Sequence, residues 1–235
     1  MNRKAWGLLG LAACVMQPGC SYLKQSRHGE SPLGFSPGAA LASADTTPAG
    51  ERELCVNTAR TVAANGHAKE AILLLEKAEQ LAPEQPMDKE LAALYAQDGR
   101  FDAAVQRYRS MLRNDPSQTD SHNNLAWTLM EAGRLDEASA AIQVGLAVKP
   151  SDRRLRSTSA MLAYRQGKRQ SAWEQFRGLY GDSAAYHNLA VLDLEQGMLE
   201  SASQHAALAT QYPNCSQESL VLRNTLDQQL AQRLK

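Results

Sequence analysis

Side chains that could carry chemistry are few in this chain of 235 residues, and they are widely spread. No histidine pairs with another histidine or a carboxylate at a spacing that would hold a metal on one helix face. No two cysteines have the CxxC spacing of zinc and thiol redox sites. The motifs HExxH, GxGxxG and GxSxG are absent, and so is the Walker loop. We therefore predict no enzyme, no metal and no cofactor. The histidines and cysteines are His28, His67, His122, His187 and His205, and Cys14, Cys20, Cys55 and Cys215.

Cys14 lies in surroundings that suggest a covalent modification. A basic start, Met1-Asn2-Arg3-Lys4, precedes an apolar stretch over 5–13, and Leu11-Ala12-Ala13-Cys14 follows at its end. The stretch is far shorter than the ~20 apolar residues that span a bilayer. This arrangement resembles the signal of bacterial lipoproteins. That resemblance implies removal of the signal before Cys14, which then carries the lipid (palmitate included).

Two alternatives to acylation at Cys14 stay open. Cys20 follows Gln17-Pro18-Gly19 at a more usual distance from the start, although Gln17 matches poorly where the family prefers leucine. An ordinary secretory signal without a lipid is the other alternative. The lipoprotein resemblance implies a mature chain in the bacterial cell envelope, anchored in the outer membrane and facing the periplasm.

The segment that follows is rich in Ser, Pro, Gly and Ala, as in Ser31-Pro32-Leu33-Gly34. It shows no helical spacing of apolar residues, so it has no core that could offset the entropy of ordering. Thirty such residues have a typical span of ~30 Å. We predict a signal peptide over 1–13 (alternatively 1–19) and a flexible tether over 14–51.

An internal repeat begins after the tether. A glycine followed five residues later by an alanine recurs, and the glycines are 33, 34, 34 and 30 residues apart. We expect each glycine to form the turn after a first helix, where a positive φ favours it. We expect each alanine to lie where a second helix crosses the first. The pairs are Gly66 and Ala71, Gly99 and Ala104, Gly133 and Ala138, Gly167 and Ala172, and Gly197 and Ala202.

Further positions agree with a period near 34, which is that of the tetratricopeptide repeat (TPR). Proline ends the second helix in Ala82-Pro83, Asp115-Pro116 and Lys149-Pro150. Asn123-Asn124-Leu125-Ala126 and His187-Asn188-Leu189-Ala190 resemble the first-helix core of that family. The chain is therefore identified as similar to TPR proteins. The resemblance implies an all-α fold, a right-handed α-solenoid of about five TPR helical hairpins plus a C-terminal capping helix.

The boundaries expected for the repeats contain one irregularity. The fourth repeat runs through Leu179-Tyr180-Gly181-Asp182 without a proline, so either its second helix is shorter or the bend to the next repeat differs. After the fifth repeat, leucines recur every fourth residue from Leu222, which predicts a cap; a partner-binding helix is the alternative. The predicted ranges are TPR 1 at 52–84, TPR 2 at 85–118, TPR 3 at 119–152, TPR 4 at 153–182, TPR 5 at 183–213 and the capping helix at 214–235.

The first helices of a TPR stack line a concave groove, and the resemblance implies that a protein or peptide partner binds there. Lys89, Asn124 and Arg154 lie at three of the five positions of the family's carboxylate clamp, whereas Ala93 and Thr158 do not match. We therefore expect a groove that tolerates anions. Trp127 either anchors a partner or packs against the neighbouring repeat. The predicted groove residues are Lys89, Asn123, Asn124, Trp127, Arg154, Arg165 and His187.

Charge is balanced overall but uneven along the chain. The totals are 25 Lys+Arg and 25 Asp+Glu, which argues against a nucleic-acid binder. The stretch 153–182 has seven basic residues opposed by Glu174 and Asp182, and 183–213 contains no Lys or Arg. Such a run is either a solvated face or a surface that steers an acidic partner into place.

Two functions fit these features. The anchor, tether and repeats resemble small TPR lipoproteins of Gram-negative bacteria that serve tight-adherence (Tad) and type IV pili. The first function is thus a lipid-anchored scaffold that helps to assemble a pilus or secretion machine. The second is an adaptor for an envelope enzyme such as a peptidoglycan hydrolase. Both imply a protein partner and a membrane, with neither nucleic acid nor a small-molecule substrate.

Overall fold

The computed structural model describes residues 47–233, which contain eleven α-helices and no strand. These residues form two compact units, 47–132 and 133–233, and each unit is described by itself. The predicted signal peptide, the acylated cysteine (Cys14 or Cys20) and most of the tether lie outside the described residues.

The first unit contains five helices that pack in chain order, each against the next. The short turn between the two helices of a hairpin makes them antiparallel, so each hairpin buries one face of each helix. The helices are α1 Pro48–Ala64, α2 Ala68–Leu81, α3 Asp88–Gln97, α4 Phe101–Asn114 and α5 Thr119–Glu131.

The first helix begins at Pro48, so residues 48–51 belong to a helix rather than to the predicted tether. Thr47 caps this helix, because its Oγ1 accepts a hydrogen bond from the Gly50 amide at 3.2 Å. Pro48 stands in the first turn, where its missing N–H costs nothing. Lys77 of α2 then pairs with Glu51 at 2.6 Å and ties this turn to the hairpin.

A bidentate ion pair joins the first two hairpins. The two terminal nitrogens of Arg107 on α4 each donate to Glu79 on α2 at 2.8 Å. Arg107 also donates to Asp88 on α3 at 2.9 Å. Since a planar guanidinium fixes the orientation of a carboxylate, this contact sets the register between the hairpins.

The second unit contains six helices, and each packs against its neighbour in the chain. They are α6 Leu135–Val148, α7 Arg153–Arg165, α8 Arg169–Tyr180, α9 Asp182–Glu195, α10 Leu199–Ala209 and α11 Gln217–Arg233.

The predicted roles of the repeat glycines and alanines are confirmed. All five glycines have positive φ, from 75° at Gly133 and Gly197 to 87° at Gly66. The five alanines that follow them, from Ala71 to Ala202, have no exposed surface. A residue with a larger side chain at these alanines would push the two helices of a hairpin apart.

The fourth repeat has a shortened second helix, which was one of the two predicted explanations for its irregularity. Helix α8 has 12 residues, whereas α2, α4 and α6 each have 14. Gly181 alone connects α8 to α9, with φ 86° and ψ 173°. This region of backbone space is almost restricted to glycine. A single glycine therefore replaces the longer, proline-containing connections of the preceding repeats.

The last helix is the predicted cap. Leu222 and Leu226 of α11 are 3% and 0% exposed, and they pack against the buried Leu199, Ala202 and Ala206 of α10. Leu230, which is half-buried, extends the same stripe. Without α11, this apolar face of α10 would be open to water.

A pair of glycine substitutions in the fourth repeat tests the role of Gly181. We expect Gly181→Ala to lower the free energy of unfolding by about 1–3 kcal/mol, because alanine strains this backbone conformation. The control is Gly178→Ala in the last turn of α8, where an added Cβ meets nothing within 4 Å. That change should raise stability by about 0.5–1 kcal/mol, since alanine favours helix. Urea unfolding measures both, and equal effects would contradict the assigned role.

Candidate functional site

Five of the seven predicted groove residues, Asn124 and Arg165 among them, have side chains that are at least partly exposed. Lys89 on α3 of the first unit and Arg154 on α7 of the second are exposed, and Trp127 on α5 is half-buried. Because these side chains are accessible, the residues remain candidates for contact with a partner.

The two asparagines of α5 have packing roles that the sequence prediction missed. Asn123 is only 5% exposed, so it is not a residue of an open groove. The side chain of Asn124 hydrogen-bonds the hydroxyl of Tyr108 on α4, and burial raises the pKa of that phenol to about 12. Asn124 therefore links one hairpin to the next helix. Its side chain is only half-buried, so its predicted place in the groove stays a prediction.

The prediction that His187 lines the groove is wrong. His187 on α9 is 2% exposed, and its Nδ1 hydrogen-bonds Ser219 Oγ at 2.9 Å. Ser219 belongs to α11, so the capping helix is what covers the imidazole. Burial lowers the pKa of His187, and the nearby carboxylate of Glu218 opposes this effect. His187 therefore holds the cap and does not meet a partner.

Arg165 lies in a pocket of the second unit, at the edge where the helices of each hairpin turn. The pocket has a volume of about 390 Å³ and is open to solvent. Arg165 and Glu195 give it one positive and one negative side chain, while Tyr164 and Leu192 supply ring and aliphatic surface. The lining is completed by Gly133, Leu135 and Gln196. Such a mixture suits a polar side chain or backbone segment of a polypeptide better than an apolar ligand.

Beside this pocket lies a carboxylate with no exposed surface, that of Asp193 on α9. Tyr164 on α7 donates its hydroxyl to Asp193 Oδ1. On the other oxygen, Oδ2, Ser201 donates at 2.6 Å and His205 Nδ1 lies at 2.6 Å. Arg169 on α8 approaches Oδ1 at 3.6 Å and covers the Tyr164 ring at 5.3 Å.

The Asp193 cluster thus gathers partners from three other helices around one buried charge. An unpaired carboxylate in such a place would lower the stability of the fold by several kcal/mol. Asp193 can therefore be buried only because these donors surround it. Burial raises the pKa of Tyr164, and its hydrogen bond to Asp193 raises that pKa further. The Tyr164 hydroxyl therefore remains a hydrogen-bond donor through the physiological pH range.

Chemistry by the Asp193 cluster has no support in the geometry. His205 and Asp193 form a dyad, but Ser201 donates to the carboxylate and not to the imidazole, so no serine is activated by a base in this cluster. In residues 47–233, no group of three His, Cys, Asp or Glu side chains is arranged to hold a metal ion. Across the same range, none of the helices combines the length and the apolar character that a bilayer crossing needs.

Sequence reasoning missed the Asp193 cluster because its members are separated along the chain. Asp193 and His205 lie on different helices, and the spacing between them carries no motif. One local signal existed: Asp193 follows the apolar run from Leu189 to Leu192 near the end of a first helix, where burial is the rule.

The buried carboxylate can be tested with a carboxylate-to-amide pair. We expect Asp193→Asn to lower the free energy of unfolding by roughly 2–3 kcal/mol, because an amide nitrogen would face donors that need an acceptor. The matched control is Glu174→Gln on the exposed face of α8, which should stay within about 0.5 kcal/mol of the wild type. Urea unfolding would refute the role of Asp193 if both variants kept wild-type stability.

The capping contact makes stability depend on pH. The folded chain holds His187 neutral, with a pKa below the ordinary 6.5, so the unfolded chain takes up the proton first. Stability should be complete above about pH 6.5 and should fall as the pH drops below that value. His187→Gln should flatten this slope between about pH 7 and 5.

A second variant separates the titration of His187 from its hydrogen bond. Ser219→Ala should cost about 1 kcal/mol at about pH 8, where both states are neutral, and should keep the slope at lower pH. Chemical unfolding at several pH values measures both effects. A wild-type slope in His187→Gln would show that another group is responsible.

Comparison with known proteins agrees with this architecture. Residues 95–162 match the family model described as tetratricopeptide repeat. The chain is similar to a thermophilic TPR protein of Thermus thermophilus, at 19% identity over 77% of this chain and 99% of that one, with a TM-score of 0.54. No curated protein sequence matches the chain.

Two further solved structures are similar to this chain. PilF of Pseudomonas aeruginosa is 20% identical over 79% of this chain and 87% of its own, with a TM-score of 0.50. PilW, described as a widely conserved type IV pilus biogenesis factor, is 18% identical over 77% and 86%, with a TM-score of 0.52. At these identities the likeness concerns the fold alone. The predicted all-α fold class is confirmed: residues 47–233 form helical hairpins like those of the solved TPR structures, followed by a capping helix.

Proposed function

We propose that this protein is a lipid-anchored scaffold or adaptor of the bacterial cell envelope, which binds other proteins and catalyses no reaction. The observation that carries the proposal is the TPR hairpin fold, whose established use is to bind protein or peptide partners. The residues offered to a partner are exposed or half-buried polar and aromatic side chains on first helices. They include Lys89, Trp127, Arg154 and Arg165.

The anchor is supported by the amino-terminal sequence. Leu11-Ala12-Ala13-Cys14 resembles a lipoprotein processing site, and the Ser, Pro, Gly and Ala-rich segment after it would let the helical hairpins stand off the membrane. A tethered scaffold meets membrane-bound partners at a raised effective concentration, so weak contacts suffice for assembly.

The proposed setting is the assembly of a pilus or secretion machine. PilW is described as a pilus biogenesis factor, and both PilW and PilF share the fold of this chain. The basic stretch over 153–182 also suits a role in assembly, because complementary charge speeds the encounter of partners and suppresses wrong ones.

Lipidation is tested directly by metabolic labelling. Radiolabelled palmitate should enter the wild-type chain in a Gram-negative host, and Cys14→Ala should remove most of the label. Cys20→Ala is the matched control and should leave the label in place. Label that survives Cys14→Ala but disappears in Cys20→Ala would move the anchor to Cys20. No label in the wild type would contradict the anchor.

Partner binding is tested at Trp127. We expect Trp127→Ala to weaken binding of a partner captured by cross-linking in intact envelopes by about 2 kcal/mol or more, because aromatic side chains dominate interface energetics. Its effect on the melting temperature should be small. If Trp127 is instead a packing residue, truncation should cost about 3–5 kcal/mol of folding stability.

Leu125 provides the control on the same helix. It is 6% exposed, so Leu125→Ala should cost about 2–5 kcal/mol of stability and leave binding per folded molecule unchanged. Identification of the captured protein by mass spectrometry then separates the two functions. Pilus or secretion components would support the scaffold, and a peptidoglycan hydrolase would replace it by an enzyme adaptor. No captured protein from the wild type would contradict both.

A further inference from the structure

Aromatic and arginine side chains lie against one another in two groups along one edge of the second unit. Arg153 covers the Tyr180 ring at 5.1 Å, and Arg177 covers the Trp173 ring at the same distance. The Trp173 ring lies 5.6 Å from Tyr186. Tyr186 in turn stacks on Tyr212 at 6.1 Å. We call these six residues the arginine–aromatic edge: Arg153, Trp173, Arg177, Tyr180, Tyr186 and Tyr212.

This edge is distinct from the pocket that contains Arg165. It is formed near the connections between hairpins, by the start of α7, the end of α8 together with Trp173 from its middle, the first turns of α9 and the segment after α10. The Arg165 pocket lies at the other ends of α7 and α9. Arg153 and Arg165 stand at opposite ends of one helix, which separates them by about 18 Å at about 1.5 Å per residue.

Several arginines lie together at this edge, although the amino terminus of a helix disfavours positive charge. Arg153, Arg154 and Arg156 are exposed in the first turn of α7, and the carboxylate at this helix start is that of the N-cap Asp152, which is buried and accepts from the Arg154 and Leu155 amides. A helix amino terminus is itself partly positive, so each basic side chain there costs about 0.3–1 kcal/mol of stability. Asp182 forms an ion pair with Arg177 at 2.7 Å and neutralises part of the positive charge at this edge. A further negative partner would relieve the remaining repulsion.

The two arginines of the edge are also held in place for binding. Each guanidinium lies over a ring, and Arg153 donates to the Leu179 carbonyl at 3.3 Å. Stacking fixes the plane of the guanidinium, so little side-chain freedom is lost when it binds a carboxylate. Arg177 remains 56% exposed, and each guanidinium keeps further N–H donors in a fork that matches two carboxylate oxygens.

We infer that the arginine–aromatic edge binds an acidic segment of a partner protein, with Asp or Glu carboxylates on Arg153 and Arg177 and neighbouring side chains on the Trp173, Tyr186 and Tyr212 rings. Arginine, tryptophan and tyrosine are the residues that dominate binding energy at protein interfaces. A nucleic acid fits less well, because the 25 basic residues of the chain are balanced by 25 acidic ones. This inference rests on the proposed function in taking the ligand to be a protein.

The test measures binding of a fluorescein-labelled peptide of alternating Glu and Asp to the full chain by fluorescence anisotropy. The analogue with Gln and Asn should bind at least tenfold more weakly. Arg153→Gln with Arg177→Gln should weaken binding of the acidic peptide at least tenfold. The control removes the same charge from exposed residues of the first unit, by Lys69→Gln with Arg113→Gln, and should change the affinity less than twofold.

A charge-preserving variant keeps the test valid if the glutamine variant does not fold. Arg153→Lys with Arg177→Lys retains both charges but loses the planar forks, and we expect about fivefold weaker binding. Wild-type affinity in this variant, or equal losses in the glutamine variant and its control, would overturn the inference. So would an absence of peptide binding by the wild type.

A final arm separates the other classes of ligand. A single-stranded DNA of equal charge that binds more tightly than the peptide, and is lost in the same variants, would overturn the protein assignment. The scaffold itself is judged by envelope cross-linking. Capture that persists without any binding of the acidic peptide would leave the scaffold standing and reject this edge.

Discussion

The burial of Asp193 constrains the second unit more than any other interaction described in it. A carboxylate without exposed surface must have its charge answered by donors, and here they come from Tyr164, Ser201 and His205. These partners lie on α7 and α10, so the helix that carries Asp193 can pack in few other ways. The same contacts fix the geometry of the neighbouring pocket, because Tyr164 belongs both to the Asp193 cluster and to the lining of the pocket.

The second unit has two edges, and different interactions hold each of them. Consecutive helices run in opposite directions, so the turns within hairpins lie at one edge and the connections between hairpins at the other. The Asp193 cluster rigidifies the first edge, where Arg165 and Glu195 line the pocket. The second edge is held by stacking of rings and guanidinium groups instead. The two edges are nevertheless linked, because the Tyr186 ring of the arginine–aromatic edge stacks on His205 of the Asp193 cluster at 6.1 Å.

The hairpins were predictable because their requirements are local. Each hairpin needs a glycine with positive φ in its turn, such as Gly66 or Gly197, and a small residue where its helices cross, such as Ala71 or Ala202. Both requirements are met within one hairpin, and both recur with the repeat. The predicted start of the first hairpin, at 52, was late because Thr47 and Pro48 begin α1 without apolar spacing.

The site was less predictable, because burial depends on segments that are distant in the chain. His187 has the sequence surroundings of a groove residue, yet Ser219 from the capping helix covers it. Asn124 has the residue type of an anion clamp, but Tyr108 of the preceding helix takes its side chain. The exposure of Lys89 and Arg154 was predictable from residue type alone, since the charged ends of long side chains rarely become buried without a partner.

The irregular fourth repeat connects the predictable hairpins to the less predictable surface. The longer connections over 115–118 and 149–152 separate one hairpin from the next, whereas Gly181 brings the end of α8 directly to the start of α9. That short connection places Arg177 against Asp182 and Trp173 against Tyr186. A regular connection with a proline would move these side chains apart. The shortened helix is thus the physical origin of the arginine–aromatic edge, which gives the departure from the repeat pattern a consequence for binding.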